Sequence, residues 1–397
     1  MYFKYFIFIL LAWLGSFLFF INPAMSKELE IIKIAYIEIE NDERYDPDLA
    51  YTRIQLKPTG RPFAGAMVAY KESEKLFDIL GKKMEITRIK VKNINEIFSK
   101  IDELAEDNTN FFLVDAEKEF FKNLSKLKSK NVAIFNITEQ DNSLRQENCD
   151  NRVFHAIPSN SMLSDSLAQY LVFKNWKKVL LLQGPYDEDI DISNSFQKSA
   201  NKYGLDIVEV RDFILTTDPR KREESNTALL TTGKKYDVIF LADSDGEFGR
   251  YLPYSTKNPN LVLGSTGLTA ETWHWSFERH GAPQLNSRFA EIDSSRRMSN
   301  YDWAAWASIN TIFKSSMKSK STDFSKIVDF FTGEKFGLDG FKGPKLTFRS
   351  WNNQLRQPIL LSTHNALIKK TPIQGFLHEK NNLDTLGIDE TETKCSF

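Results

Sequence analysis

Apolar positions along this chain fall into short unbroken runs separated by amphipathic stretches. Residues 179–182 and 238–241 are continuous apolar runs bounded by turn residues, the pattern of strands covered on both faces. The whole stretch 176–246 reads strand, helix, strand, helix, strand. Parallel strands need crossover helices to join them, so an open α/β sheet is predicted.

The same alternation precedes it. Residues 31–39 form the first predicted strand, followed by a polar connection over 41–61. A helix opens at Pro62 and runs to Leu80, its apolar positions recurring near the helical period, with Gly81 as its C-terminal cap. A strand at 84–91, a helix at 94–104, a strand at 111–114, a helix at 116–128 and a strand at 132–137 complete one doubly wound unit. The polar segment 138–151 reads as a first crossover, with 152–155 beginning a second unit and a helix at 161–175. After a short strand at 261–263, the turn 264–267 reads as a second crossover. Helices follow at 271–280, 301–317 and 324–331, then short strands within 346–376 and an exposed tail beyond 381.

The predicted architecture is therefore bilobed α/β, with two doubly wound parallel sheets joined at hinge crossovers. Residues 27–145 and 266–332 are assigned to lobe 1, 146–265 and 333–380 to lobe 2, and 381–397 to a C-terminal tail. A ligand would sit between the lobes, at the carboxyl ends of the strands.

A length of 397 residues favours two such cores over one. A formal net charge of -1 gives no global field for nucleic acid or an anionic membrane. The N-terminus changes the picture more. Lys4 precedes a nearly wholly apolar stretch over 5–21, and Ala24 and Ser26 place small residues before Lys27. This is the form of a cleaved signal peptide over 1–26, with a retained membrane anchor as the alternative. No Cys adjoins the cleavage site to carry a lipid. The expected mature chain is exported, periplasmic, monomeric and without stable membrane insertion. Cys149 and Cys395 are its only cysteines. In an oxidising compartment they suggest a disulfide, the alternative being two free thiols.

Chemistry-bearing motifs are sparse. There is no G-x-G-x-x-G after the first strand, no phosphate-cradling P-loop and no nucleophile elbow. The five His stand at no metal-ligand spacing. No enzyme and no cofactor are expected. Two acidic clusters follow strands: Asp187 and Asp189 after 179–183, and Asp243 and Asp245 after 238–242. They are candidate ligand contacts or oxygen ligands for calcium or a lanthanide; the alternative is carboxylates capping helix N-termini. Trp273 and Trp275, beside His274 and Phe277, are candidate stacking groups. Core packing is the alternative for them, and Trp303 and Trp306 read as core.

The segment 61–72, RPFAGAMVAYKE, and the run from Asp339 to Phe348 resemble type I periplasmic substrate-binding proteins of branched-chain amino acid and amide ABC transporters. Longer strings, among them GSTGLTAETWHWSFERHGAPQLNSRF and LDTLGIDETETKC, resemble the subfamily associated with PQQ-dependent alcohol dehydrogenase systems. The resemblance implies a bilobed solute receptor, a small-molecule ligand and an inner-membrane permease as partner. Where amino-acid binders carry a Ser- and Thr-rich loop after the third strand, this chain has Asp115, Ala116 and Glu117. Those carboxylates would line lobe 1 and receive a ligand carboxylate poorly, so an amino-acid ligand is not carried over.

Overall fold

The computed structural model describes residues 30–46, 58–216, 218–395 and 397; the predicted leader lies outside them. The first sheet holds β1 (Glu30–Ile39), β2 (Lys82–Val91), β3 (Phe111–Asp115), β4 (Ala133–Asn136) and β5 (Val153–His155). Their order is β2-β1-β3-β4-β5, all parallel. Alternate residues of β1 serve opposite cores. Ile32, Ile34 and Tyr36 pack on one side, Ala35 and Ile37 on the other. That two-sided burial is why apolar residues fill successive positions 34–37 of the strand, at roughly 1.5–3 kcal/mol per large side chain removed from water.

Helices cover both faces. On one lies α1 (Phe63–Ile79); on the other lie α2 (Ile94–Glu106) and the short α3 (Lys118–Lys122). The predicted helix over 116–128 is cut short. Asn123 turns its amide onto the Glu119 carbonyl, and Asp102 holds the Lys128 and Ser129 N–H groups, so the chain tightens into a single 3-10 turn.

The second lobe begins with α4 (Asn160–Lys174), whose N-cap Ser159 accepts from the Met162 N–H. Then come β6 (Lys178–Gln183), α5 (Asp187–Tyr203), β7 (Asp206–Asp212), β8 (Val238–Ala242) and β9 (Leu261–Gly264). This parallel sheet has the order β7-β6-β8-β9. Val179 and Leu181 face α4 and α5, while Leu180 and Leu182 face the opposite core. The chain then forms β10 (Thr269–Glu271) and returns to the first core with α6 (Ala282–Ile292), α7 (Asn300–Ser319) and α8 (Phe324–Thr332). A two-stranded ribbon, β11 (Leu338–Asp339) with β12 (Lys345–Leu346), follows. Finally β13 (Ile359–Thr363) and β14 (Ala366–Thr371) join β10 in an antiparallel sheet against α4.

Several sequence expectations are corrected. Residues 153–155 do not begin the second unit; they pair with β4 and close the first sheet. The polar segment before them is a loop of that lobe, folded around Arg145, which donates to the Asp141 and Glu139 carbonyls. The first crossover is the short link after His155, and the turn 264–267 merely joins β9 to β10. The third crossover, expected at 332/333, comes later in the chain. Phe336, Leu338, Leu346 and Phe348 pack into the first core, so the chain passes between lobes again before β13. Residues 271–280 are not helical. The Trp273 N–H goes to Asn300, the Trp275 carbonyl to Asn286 and the Ser276 N–H to His274, which leaves no helical ladder. The tail is only partly exposed: residues 383–388 are buried, while 390–392 and 394 lie at the surface.

Candidate functional site

Both parallel sheets direct their carboxyl ends at the space between the lobes, the position at which open α/β sheets hold ligands. On the first-lobe wall the chain leaves β1 through a 3-10 turn at Glu43–Tyr45, capped by Asp42. This turn carries Arg44 to Asp115 at the end of β3. Arg44 Nη2 lies 2.8 Å from Asp115 Oδ1 and 2.5 Å from Asp42 Oδ2, and Nε donates to Asp42 Oδ1 at 3.0 Å. The Tyr45 hydroxyl donates to the same Asp115 oxygen at 3.1 Å.

Asp115 has no exposed surface. Burial raises its pKa, and the Arg44 guanidinium opposes that rise. For Arg44, burial would lower the pKa, but Asp115 and Asp42 outweigh it and hold the guanidinium firmly charged. A second layer braces the first. Buried Glu38 accepts from Arg88 at 2.7 Å, and the Arg61 guanidinium covers the Tyr45 ring at 4.8 Å. Tyr301, in the first turn of α7, stands within electrostatic reach of Arg44, Glu139, Asp115 and Glu271. Burial, with those three carboxylates, raises the phenol pKa against Arg44. Arg44, Tyr45, Glu139 and Tyr301 were missed in the sequence. The one available signal was an unusually polar connection directly after the first strand.

The second-lobe wall is built from the two acidic clusters. Asp187 and Glu188 are exposed in the first turn of α5, where carboxylates favour the helix dipole. Asp189 is fully buried; it accepts from the Tyr186 N–H at 3.1 Å and from the Ser244 N–H, tying the start of α5 to the loop after β8. Asp243 accepts from the Gly249 N–H at 2.6 Å and the Gly246 N–H at 3.3 Å. Asp245 takes the Glu247 N–H at 2.9 Å. The structure thus brings Asp189, Asp243 and Asp245 together, but their oxygens close loops. Among the described residues no three His, Cys, Asp or Glu side chains are grouped to hold a metal ion. The calcium or lanthanide reading finds no such cluster among those residues.

The remaining candidates divide. Glu117 is exposed beside Asp115. Trp273 is core, 2% exposed, with its indole N–H on Asn286. Trp275 is half-buried, and one face is covered by the Arg297 guanidinium at 3.4 Å from the ring centroid. Trp303 and Trp306 lie in the core of the first lobe. Across the cleft, Lys118 pairs with Asp191 at 3.2 Å and Asn142 donates to Ser195 at 2.8 Å, so α3 and the loop after β4 touch α5. Cys149 and Cys395 are bonded, with Cα atoms 5.6 Å apart.

Burial, with the Asp245 and Asp189 carboxylates nearby, pushes Asp243 up to about 7 against the pull of the Gly249 N–H. An unfolded aspartate titrates near about 3.9. Between those values the native state binds more protons than the unfolded one, so this group makes stability fall as pH rises through the window. Asp243→Asn should remove that component. Relative to wild type the variant gains about 2–3 kcal/mol on going from pH 5 to pH 8, read from urea midpoints at the two pH values. Parallel pH profiles for the two proteins would show Asp243 to titrate normally.

No family model and no curated protein matches this chain. Solved structures do. A periplasmic binding protein from Burkholderia mallei superposes with TM-score 0.64 at 13% identity, over 92% of this chain and 99% of that one. A leucine-, isoleucine-, valine-, threonine- and alanine-binding protein from Brucella ovis, in a closed conformation, gives 0.67 at 11% identity over 86% and 95%. An ABC-transporter solute-binding protein from Rhodopseudomonas palustris, in complex with 3,4-dihydroxybenzoic acid, gives 0.62 at 14% identity over 84% and 93%. The chain has the bilobed α/β fold of type I periplasmic binding proteins.

Proposed function

We propose that this chain is the exported, periplasmic solute-binding component of an ABC transporter, closing its two lobes on a small molecule and presenting it to an inner-membrane permease. The observation that carries this reading is the match of nearly the whole chain to solute-binding proteins. Its place in a PQQ-dependent alcohol oxidation system rests on the sequence strings quoted above. The leader at 1–26 supports export.

The cleft's charge bears on the ligand. Arg44 is already shared by Asp42 and Asp115, so it offers no uncompensated positive charge to a carboxylate. Glu139 and Glu271 add negative charge near Tyr301. An uncharged polar metabolite of alcohol oxidation therefore ranks above the amino acids and benzoates held by the neighbours. The test is thermal melting of the mature protein with alcohols, aldehydes, amino acids, benzoate, the quinone and calcium. A ligand at about 100 times its Kd adds about 2.7 kcal/mol of stability. A rise with an alcohol or aldehyde is expected. A rise with an amino acid or benzoate alone would overturn the ligand assignment. A flat panel, with no small molecule released on denaturing the purified protein, would overturn the solute-binding reading.

A further inference from the structure

The C-terminal segment crosses from one lobe to the other, and a disulfide fastens its far end. Residues 383–388 are held by the second lobe. The Gly387 N–H donates to Asp165 at 2.7 Å, Lys202 reaches the Gly387 carbonyl at 3.1 Å, and the Tyr203 hydroxyl donates to the Thr385 carbonyl at 2.5 Å. Asp165 lies on α4, and Lys202 and Tyr203 end α5. The chain then runs to the loop between β4 and β5 of the first lobe. The Lys394 N–H donates to the Gln146 carbonyl at 2.8 Å, Thr393 donates to the Arg145 carbonyl at 3.1 Å, and Cys395 is joined to Cys149. Arg349 and Trp351, in the third crossover, donate to carbonyls of the same segment on its way.

We infer that residues 383–395 form a fourth interlobe connection, a strap that limits how far the lobes open, and that the Cys149–Cys395 bond makes it effective. The three crossovers are continuous chain and lie together. His155 exchanges backbone hydrogen bonds with Asn353 and Leu355, and Gln357 reaches the Ala156 carbonyl. Such a bundle of adjacent strands permits rotation as a hinge. The strap adds an attachment at the loop between β4 and β5, beside the third crossover, whose Asn352 donates to the same Arg145 carbonyl, and there its hold besides the disulfide is a few polar contacts. With the bond intact, opening must drag the buried 383–388 segment off α4 and α5. With it broken, the contacts at 392–394 can part and reform at little cost. The inference rests on the lobes moving against each other, as the proposed solute binding requires, but its test needs no ligand.

That test is the interlobe distance distribution of ligand-free protein. Bio-orthogonal labels would go on exposed Lys122 and Lys198, on the helices joined by the Lys118–Asp191 pair. Cys149→Ser/Cys395→Ser is expected to shift the distribution several ångströms longer and to broaden it. Circular dichroism should remain that of a folded protein. Reduction of the folded wild-type protein by a phosphine is expected to give the same shift, and it serves as the measurement if the double variant does not fold. Superimposable distributions for disulfide-bonded and reduced protein would overturn the strap. A ligand panel without response would leave this readout unaffected, so the two readings fail separately.

Discussion

Asp384→Ala is expected to cost the folded state about 3–5 kcal/mol, the loss typical of one partner removed from a buried ion pair. Asp384 sits between two guanidinium groups. It accepts from Arg349 Nε at 2.8 Å and from Arg356 Nε at 2.8 and 2.9 Å. The Arg349 side chain is 1% exposed. Burial lowers its pKa, and Asp384 supplies the largest opposing attraction. Without that carboxylate, Arg349 keeps the carbonyls of Leu386, Leu383 and Ile388, the Trp351 ring 5.5 Å away and the more distant Asp389. Its charge would then be buried without a bonded carboxylate, which costs far more than the attraction of an exposed pair contributes. The measurement is the urea midpoint at pH 7. Arg349→Met/Arg356→Met/Asp384→Leu should lose much less, because removing both guanidinium groups with the carboxylate leaves no orphan charge. A loss below about 1 kcal/mol for Asp384→Ala would show that water reaches the pair.

That pair also shows where the sequence stopped being legible. The strands could be read because a strand covered on both faces must be apolar at every buried position, as residues 179–182 of β6 and all of β8 are. The capped helices could be read for a local reason too, as with Ser299 and Asp302 at the start of α7. The tail LDTLGIDET looks solvated by composition. It is buried because Arg349, far away in the chain, finds Asp384 and three tail carbonyls. No local pattern encodes that partnership. Residues 271–280 misled for the opposite reason. Trp273 and Phe277 have helical spacing and are both buried, yet the backbone between them is tied by Asn286 and Asn300. The two acidic clusters were placed correctly past their strand ends. Whether a carboxylate faces solute or a backbone N–H is decided by loop geometry, and for Asp189 and Asp243 the N–H groups take it. Arg44 escaped notice because a polar connection gives no periodicity to separate a site residue from a solvated one.

Gly65→Ala is expected to destabilise the protein by about 3 kcal/mol or more, at or beyond the upper end for overpacking. In an exposed helix the same change stabilises by about 1 kcal/mol, so the sign alone is diagnostic. Gly65 lies in the first turns of α1, against the start of α7. A Cβ there would stand 2.0 Å from the Asp302 carbonyl oxygen and 2.5 Å from its carbon. Those are backbone atoms, fixed by a capping box in which Ser299 and Asp302 satisfy each other's N–H groups. The Asp302 carboxylate is held further by Arg296 and by the Gly65 N–H at 3.2 Å. Nothing at the contact can rotate away, so a methyl group must push the two helices apart. The displacement would not stay local, because Tyr301 precedes Asp302 and stands within electrostatic reach of Arg44. Gly65→Ala should therefore weaken solute binding as well as stability, whereas Gly81→Ala, at a helix end with open space around its Cβ position, should bring only the strain of its positive φ of 67°. The check is a urea midpoint and a solute titration on each variant. A Gly65→Ala protein as stable as wild type would mean that α1 and α7 pack less closely in solution than their backbones do here.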